Sequence, residues 1–453
     1  MTERLLVIGG DAGGMSAASQ ARRRKSSGEL EIVAFERGPY TSYSACGIPY
    51  LVGGVVTGLD DLIARSPEGF RKKDIDARIG HEVIEVDLDA RTAKVRSSDG
   101  VTREGFDLLM IGTGALPIRP AIPGADAPGI FGVQTLADGE RLRRHIDEHQ
   151  PERSVVVGGG YIGLEMAEAF KERGMDVSLV QQAPQPMTTL DFDMGELVAE
   201  AMRDMGIHVS VEEPVESFEV TGGRVRAVQT KERTLPADVV ALGIGVRANV
   251  EVARSAGLDI GPSGGVAVDE HMRASADGVW AAGDCTEKFH RISRRPVAVP
   301  LGTHANKEGR VAGIDMTGGD AAFPGVLGTA VTKVCGLEVG RTGLNEREAA
   351  AAGFSALPVT INSSTRAGYY PGACPIRVKL VVELPSARML GAQIVGREGA
   401  AKRIDVLAAA IWNGMDAEEF LNVDLSYAPP FSPLWDPVLM AARASWRAVQ
   451  DQA

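Results

Sequence analysis

Short apolar runs that end on glycine divide the first two thirds of the chain. Leu5-Leu6-Val7-Ile8 leads into Gly9-Gly10-Asp11-Ala12-Gly13-Gly14 and a helical stretch through Arg24, and a second apolar run, Ile32-Val33-Ala34-Phe35, ends at Glu36. The same order returns later as Val155-Val156-Val157, Gly158-Gly159-Gly160-Tyr161-Ile162-Gly163, a helix to about Arg173, and Val177-Ser178-Leu179-Val180. Unbroken apolar runs of this length predict strands covered on both faces. Strand, glycine turn, helix and strand together predict a parallel crossover unit, twice.

Between the two units, Leu108-Leu109-Met110-Ile111 runs into Gly112-Thr113-Gly114, and Pro117, Pro120 and Pro123 mark a crossing between domains. Val239-Val240-Ala241-Leu242-Gly243 repeats the strand-and-turn, and the run from Gly278 to Asp284 predicts a return to the first unit. After about residue 325 the pattern changes to antiparallel strands over 326–339 and 376–384, with helices over 345–352 and 402–413. The expected fold class is α/β. Two Rossmann-like dinucleotide-binding domains (1–149 with 245–324, and 150–244) are followed by a C-terminal α+β domain over 325–453.

Composition narrows the function classes. A net charge of −12 argues against a general nucleic-acid binder, which needs excess Lys and Arg. No apolar run approaches the ~18 residues of a membrane span. Four cysteines without a framework spacing fit a reducing cytoplasm. His81, His208, His271 and His304 show no metal-ligand spacing.

A glycine turn at a helix N-terminus lets backbone N–H groups approach a pyrophosphate, and the helix dipole favours its charge. In the first loop Gly9 and Gly14 hold the outer positions and Asp11 stands where the middle glycine belongs. Glu36 ends the next strand, where a carboxylate accepts from ribose hydroxyls. The second loop matches fully at Gly158, Gly160 and Gly163. Its ribose position is Gln181, which neither selects a free 2′-hydroxyl nor supplies a cation for a 2′-phosphate, so NADH and NADPH both stay open.

Cys46 lies in Ser42-Tyr43-Ser44-Ala45-Cys46-Gly47-Ile48-Pro49-Tyr50, shortly after the first unit and without a second cysteine nearby. A lone thiol beside a bound cofactor needs a redox partner from outside its own segment. Gly47 and Pro49 predict a helix start just after it, placed to lower the thiol pKa.

These segments resemble the flavoprotein disulfide reductase superfamily, and within it the single-cysteine branch that holds coenzyme A disulfide reductase, persulfide reductase, NADH peroxidase and NADH oxidase. The resemblance also takes in Gly163-Leu164-Glu165, Gly283-Asp284, Asn306-Lys307-Glu308-Gly309-Arg310 and Tyr427-Ala428-Pro429-Pro430-Phe431-Ser432-Pro433, so it spans essentially the whole chain. It is strongest to coenzyme A disulfide reductase. The histidine that the peroxidase and oxidase carry in the first loop is missing here, where Asp11, Ala12 and Gly13 stand instead. The second cysteine and C-terminal His-Glu pair of glutathione-reductase-like relatives are missing too.

The resemblance implies FAD in the first domain, with Glu36, Arg37 and Val83 at the adenosine, Thr113 and Gly114 at the pyrophosphate, and Asp284 on the ribityl chain. Ser44, Pro300, Leu301 and Thr303 complete that list. NADPH or NADH takes the second loop, with Ile162 beside Tyr161, the ring that covers the flavin, and Glu165 on the nicotinamide side. The third domain implies a homodimer whose active sites are shared, with the partner copy contributing Tyr427. Tyr369 is favoured over Tyr370 as the second tyrosine on its spacing to Tyr427.

By the same resemblance, electrons pass through the flavin to a mixed disulfide of Cys46 with coenzyme A. Ser16, Gln20, Arg23, Ser42, Ala45, Lys73, Asn306 and Tyr370 line the coenzyme A channel. Two basic clusters, Arg22-Arg23-Arg24-Lys25 and Arg71-Lys72-Lys73, are candidates for its phosphates. Cys285 and Cys335 read as inert thiols. Cys374, near the tyrosines, has a redox role only if its sulfur reaches Cys46 across a dimer. The expected reaction is reduction of coenzyme A disulfide, persulfide or polysulfide. The alternatives are an NAD(P)H oxidase or peroxidase, a flavin redox sensor, and an electron-transfer reductase that needs no thiol.

Overall fold

The computed structural model describes residues 2–452. Its first sheet is parallel, in the order Val279–Ala281, Leu108–Ile111, Glu3–Ile8, Leu30–Glu36 and Asp76–Ile79. Leu5, Leu6 and Val7 are all fully buried, as expected of a strand covered on both faces. The second sheet is also parallel, in the order Ile207–Ser210, Asp176–Val180, Arg153–Val157, Val239–Leu242 and Ile130–Gly132.

That last strand corrects one expected boundary. Ile130–Gly132 pairs with Val239–Leu242, so the second unit already begins before residue 150. Three residues carry no alternation to read, and only the pairing reveals them. The two crossings between units run side by side as a small antiparallel ribbon, Ala115–Pro117 against Val246–Ala248. Each unit also carries a three-stranded antiparallel sheet, over Glu82–Gly105 and Val215–Pro236.

The third domain is a five-stranded antiparallel sheet in the order Ala330–Val334, Leu337–Gly343, Met389–Gly396, Pro375–Glu383 and Ala356–Ser364. The single run expected over 326–339 is two strands. Cys335 and Gly336, both at positive φ, turn the chain between Val334 and Leu337, as a two-residue hairpin loop demands. Ala400–Trp412 and Pro437–Gln450 cover one face with a core of Val378, Leu380, Ile394, Ile404, Leu407 and Val438.

One contact between helices sets up the site. Ala12–Arg24 packs tightly on Gly302–Asp315. A Cβ on Gly309 would lie 2.3 Å from the Gly13 carbonyl oxygen, and one on Gly313 would lie 2.5 Å from that of Ala17. The glycines at i and i+4 therefore let the two backbones meet. This close approach carries Asn306 to Ser16.

Candidate active site

Cys46 occupies a single 3-10 turn, Ala45–Gly47, that runs directly into the helix Ile48–Gly53 with Pro49 in its first turn. Its backbone is held from outside: Ser44 N–H donates to Leu62 O at 2.8 Å. Ser42, two residues earlier, adopts φ +47, and its carbonyl accepts from Ala64 N at 2.8 Å and Arg65 N at 3.3 Å. These bonds stabilise a conformation that a non-glycine residue adopts only at a cost.

The thiol of Cys46 is exposed, yet the protein packed around its closed side governs it. Desolvation, then the Glu165 and Asp284 carboxylates, push its pKa up. The expectation that the following helix start would lower it is thus corrected. A short helix beginning two residues later offers little dipole, and burial, with the two carboxylates adding to it, outweighs it.

Glu165 stands one turn beyond Tyr161 on the helix Tyr161–Glu172. Burial raises the Glu165 pKa, and a hydrogen bond from the Thr332 hydroxyl at 2.6 Å opposes that rise. Thr332 belongs to the third domain, so the Glu165 carboxylate is fixed from a different domain. Burial also raises the Tyr161 phenol. In the second loop a Cβ on Gly163 would meet the Gly158 oxygen at 1.9 Å, which is the close strand–helix packing that the fingerprint requires.

The first loop is built likewise, with a Cβ on Gly14 falling 2.2 Å from the Gly9 oxygen. Glu36 ends its strand with Oε2 accepting from Gly10 N at 2.8 Å and Oε1 from Gly38 N at 2.7 Å. Val83 packs beside Phe35 in the same apolar cluster, and His81 N–H bonds the Glu36 carbonyl at 2.9 Å. Thr113 and Gly114 are clamped by Asn249: the Thr113 hydroxyl donates to Asn249 O at 2.6 Å, and Asn249 N–H donates to Gly114 O at 2.9 Å. Gln181 donates from Nε2 to Gln185 O at 3.3 Å.

Under the turn that presents Asp284 lies a buried ion pair. Lys288 Nζ sits 3.4 Å from Glu308 Oε1, donates to Gly283 O at 2.8 Å, and both side chains are about 1% exposed. Glu308 Oε2 accepts from Gly283 N at 2.8 Å. Burial raises the Asp284 pKa, and Lys288 lowers it. Sequence reading counted Glu308 only as part of a motif; here it fixes the Asp284 turn.

Five of the expected channel residues (Ser16, Gln20, Arg23, Ser42 and Asn306) share one cavity of about 410 Å³. The Ser16 hydroxyl donates to Asn306 Oδ1 at 2.7 Å, and Arg23 donates to Gln20 Oε1 at 3.2 Å. Ala45, Lys73 and Tyr370 are not among its walls. Arg65 and Arg310 are, and neither was expected. Arg310 lies one turn beyond Asn306, a spacing that was legible. Arg65 lies on an irregular loop over the Phe70 ring, with no pattern to announce it.

The basic clusters split. Arg22 donates to Lys25 O, Leu30 O and Asp74 O, Arg24 to Thr317, Lys25 pairs with Glu3, and Arg71 pairs with Glu68. Of these two runs only Arg23 lines the cavity.

Tyr427 and Tyr369 adjoin on the third domain, and the neighbouring Tyr369 phenol is the main influence raising the Tyr427 pKa. Around them Phe431 is 77% and Leu434 71% exposed, and Tyr370 and Trp435 are exposed as well. A patch of this kind marks an interaction surface. Cys374 lies in the same region, its sulfur donating to Gly372 O at 3.4 Å. Cys285 is buried, and Cys335 has its thiol pushed up to about 12 by burial.

Residues 3–305 match the family described as pyridine nucleotide-disulphide oxidoreductase, and residues 329–437 match that family's dimerisation domain. The chain belongs to the pyridine nucleotide-disulphide oxidoreductase family. Members of this family use FAD and NAD(P)H, and the dimerisation domain makes the oxidoreductase a homodimer.

The chain is 38% identical over 446 residues to an NAD(P)H coenzyme A polysulfide/persulfide reductase of Pyrococcus horikoshii, covering 98% of each chain. It is 37% identical over 455 residues to an NADH oxidase of Methanocaldococcus jannaschii, covering 99% of this chain and 100% of that one. The solved structure of an NAD-dependent persulfide reductase from A. fulgidus superposes with a TM-score of 0.96 at 39% identity, over 99% of this chain and 84% of that one. Among the described residues no helix is long and apolar enough to cross a membrane, and no group of three or more metal-ligating side chains occurs.

Proposed function

We propose that this oxidoreductase reduces coenzyme A disulfide, or the related persulfide and polysulfide, through Cys46. The observation that carries the reading is the cavity formed by Ser16, Gln20, Arg23, Ser42 and Asn306. It is polar and lined by three guanidinium groups, Arg23, Arg65 and Arg310, as a phosphate-bearing thiol requires. Its wall at Ser42 belongs to the segment that carries Cys46.

The residues of the first domain fit FAD: a loop without side chains at Gly9 and Gly14, an acid at the end of the second strand, and a carboxyl at Asp284. Bound FAD supplies the two-electron relay from nicotinamide to sulfur. Gly158, Gly160 and Gly163 seat the NAD(P)H pyrophosphate, and Tyr161 and Glu165 bound the nicotinamide side. Cys46 begins each turnover in a mixed disulfide with coenzyme A. Two electrons and one proton cleave that bond, releasing one coenzyme A thiol and leaving the Cys46 thiolate. The thiolate then attacks a sulfur of coenzyme A disulfide, restores the mixed disulfide and expels a second thiolate. The partner subunit's Tyr427, beside Tyr369, protonates it. The net reaction consumes one NAD(P)H, one proton and one disulfide and yields two thiols.

The similarity to an NADH oxidase keeps oxygen as a rival acceptor. The guanidinium-lined cavity favours the phosphorylated thiol, since oxygen needs none of it. Four unpaired cysteines support a reducing cytoplasm as the place of work. The test is steady-state turnover of unmodified enzyme and Cys46→Ser with coenzyme A disulfide. Disulfide-dependent turnover that persists in the variant overturns the proposal.

A further inference from the structure

Asp11 stands where a dinucleotide loop ordinarily has its middle glycine, the position at which the backbone comes closest to the pyrophosphate. It is the residue before the helix Ala12–Arg24, yet its side chain makes no capping bond. The carboxylate Oδ1 accepts instead from Tyr43 N at 3.3 Å, which turns it toward the segment that carries Cys46. Glu36 faces it from the end of the second strand, Asp284 from the turn after Val279–Ala281, and Tyr43 from the following loop. The backbone amides of Tyr43 and Ala12 favour its charge, and no cation stands among the groups that shift it. A free carboxylate at a helix start is ordinarily stabilised. Here burial, with Glu36 and Asp284 adding to it, raises the Asp11 pKa to about 6.

A dinucleotide pyrophosphate brings two further negative charges to this spot. An ionised Asp11 repels them, whereas a protonated one offers an O–H to a phosphate oxygen. We propose that Asp11 takes up a proton when FAD binds and donates it in a hydrogen bond to the pyrophosphate, so that flavin affinity depends on pH through this one residue. The inference rests on the reading of the first loop as the FAD site. One linked proton makes affinity fall by up to tenfold per pH unit, from the pKa of Asp11 without flavin up to its pKa with flavin bound. Above that range the affinity levels off at its lowest value.

The test follows FAD release from the full-length holoenzyme on dilution, read by recovered flavin fluorescence between pH 6 and 9. The unmodified enzyme should hold FAD up to about tenfold less tightly for each pH unit. Asp11→Asn and Asp11→Gly should show no such slope and should hold FAD more tightly than the unmodified enzyme at pH 8. A second measurement needs no variant. The heat of FAD binding at pH 7.5, compared in buffers of different ionisation enthalpy, should report about one proton taken up per flavin. An unchanged slope in Asp11→Asn, or no proton uptake, overturns the inference and leaves the proposed function standing. Failure to bind FAD at any pH overturns both.

Discussion

The Thr332 hydroxyl donates to Glu165 Oε1 at 2.6 Å, and the Glu165 carboxylate in turn helps to hold the Cys46 thiol above its ordinary pKa. A hairpin of the third domain therefore reaches the reactive sulfur through one carboxylate on the second.

This chain sets the first prediction. The Glu165 carboxylate disfavours the Cys46 thiolate, so Glu165→Gln should lower the thiol pKa and raise the thiolate fraction at neutral pH. The pH dependence of Cys46 alkylation in flavin-free protein checks this. Its midpoint should lie above that of an ordinary thiol and should move down in the variant. A midpoint that stays in place contradicts the assignment.

Arg23 lines the cavity while its neighbours in sequence pair elsewhere. Arg23→Ala should raise KM for coenzyme A disulfide by about tenfold or more, as expected for one lost charge-assisted bond. It should leave KM for a disulfide without phosphate groups nearly unchanged. Arg22→Ala should act on stability, because Arg22 bonds the backbone at Lys25, Leu30 and Asp74. Steady-state kinetics with both substrates separates these effects.

The basic clusters show where sequence was legible and where it was not. Both glycine loops and Glu36 follow from local pattern and spacing, whereas Tyr427 and Tyr369 come from the family resemblance. The division of labour within Arg22-Arg23-Arg24-Lys25 does not, because helical direction and the strand packed beneath decide it. Arg65 and Thr332 reach the site by tertiary placement alone. The strand Ile130–Gly132 was too short to carry a pattern, and the thiol pKa depended on burial and on carboxylates far away in sequence.

Lys288 and Glu308 form a buried pair beneath Asp284. Lys288→Met should cost about 3–5 kcal/mol of stability by leaving a buried carboxylate unpaired. Burial raises the Glu308 pKa. A carboxyl whose pKa is higher in the folded than in the unfolded protein gives relative stability at low pH, and that is lost as pH rises through the folded value. The variant's deficit should therefore shrink on acidification. Denaturant unfolding at neutral and mildly acidic pH checks both points.

The Tyr427 phenol is raised by the adjoining Tyr369 and stays a proton donor across neutral pH. Tyr427→Phe should slow disulfide-dependent turnover by about tenfold to a hundredfold or more, as for loss of a general acid. It should leave flavin reduction by NAD(P)H intact. Rapid-mixing measurement of the two half-reactions distinguishes these outcomes.

The most direct measurement is an anaerobic titration of the enzyme with NADPH or NADH, with and without coenzyme A disulfide. The account expects rapid disulfide-dependent oxidation of the nicotinamide, its loss in Cys46→Ser, and one coenzyme A released per subunit on mild reduction. Turnover with oxygen or peroxide far above that with every disulfide tested, or full activity without Cys46, would contradict it.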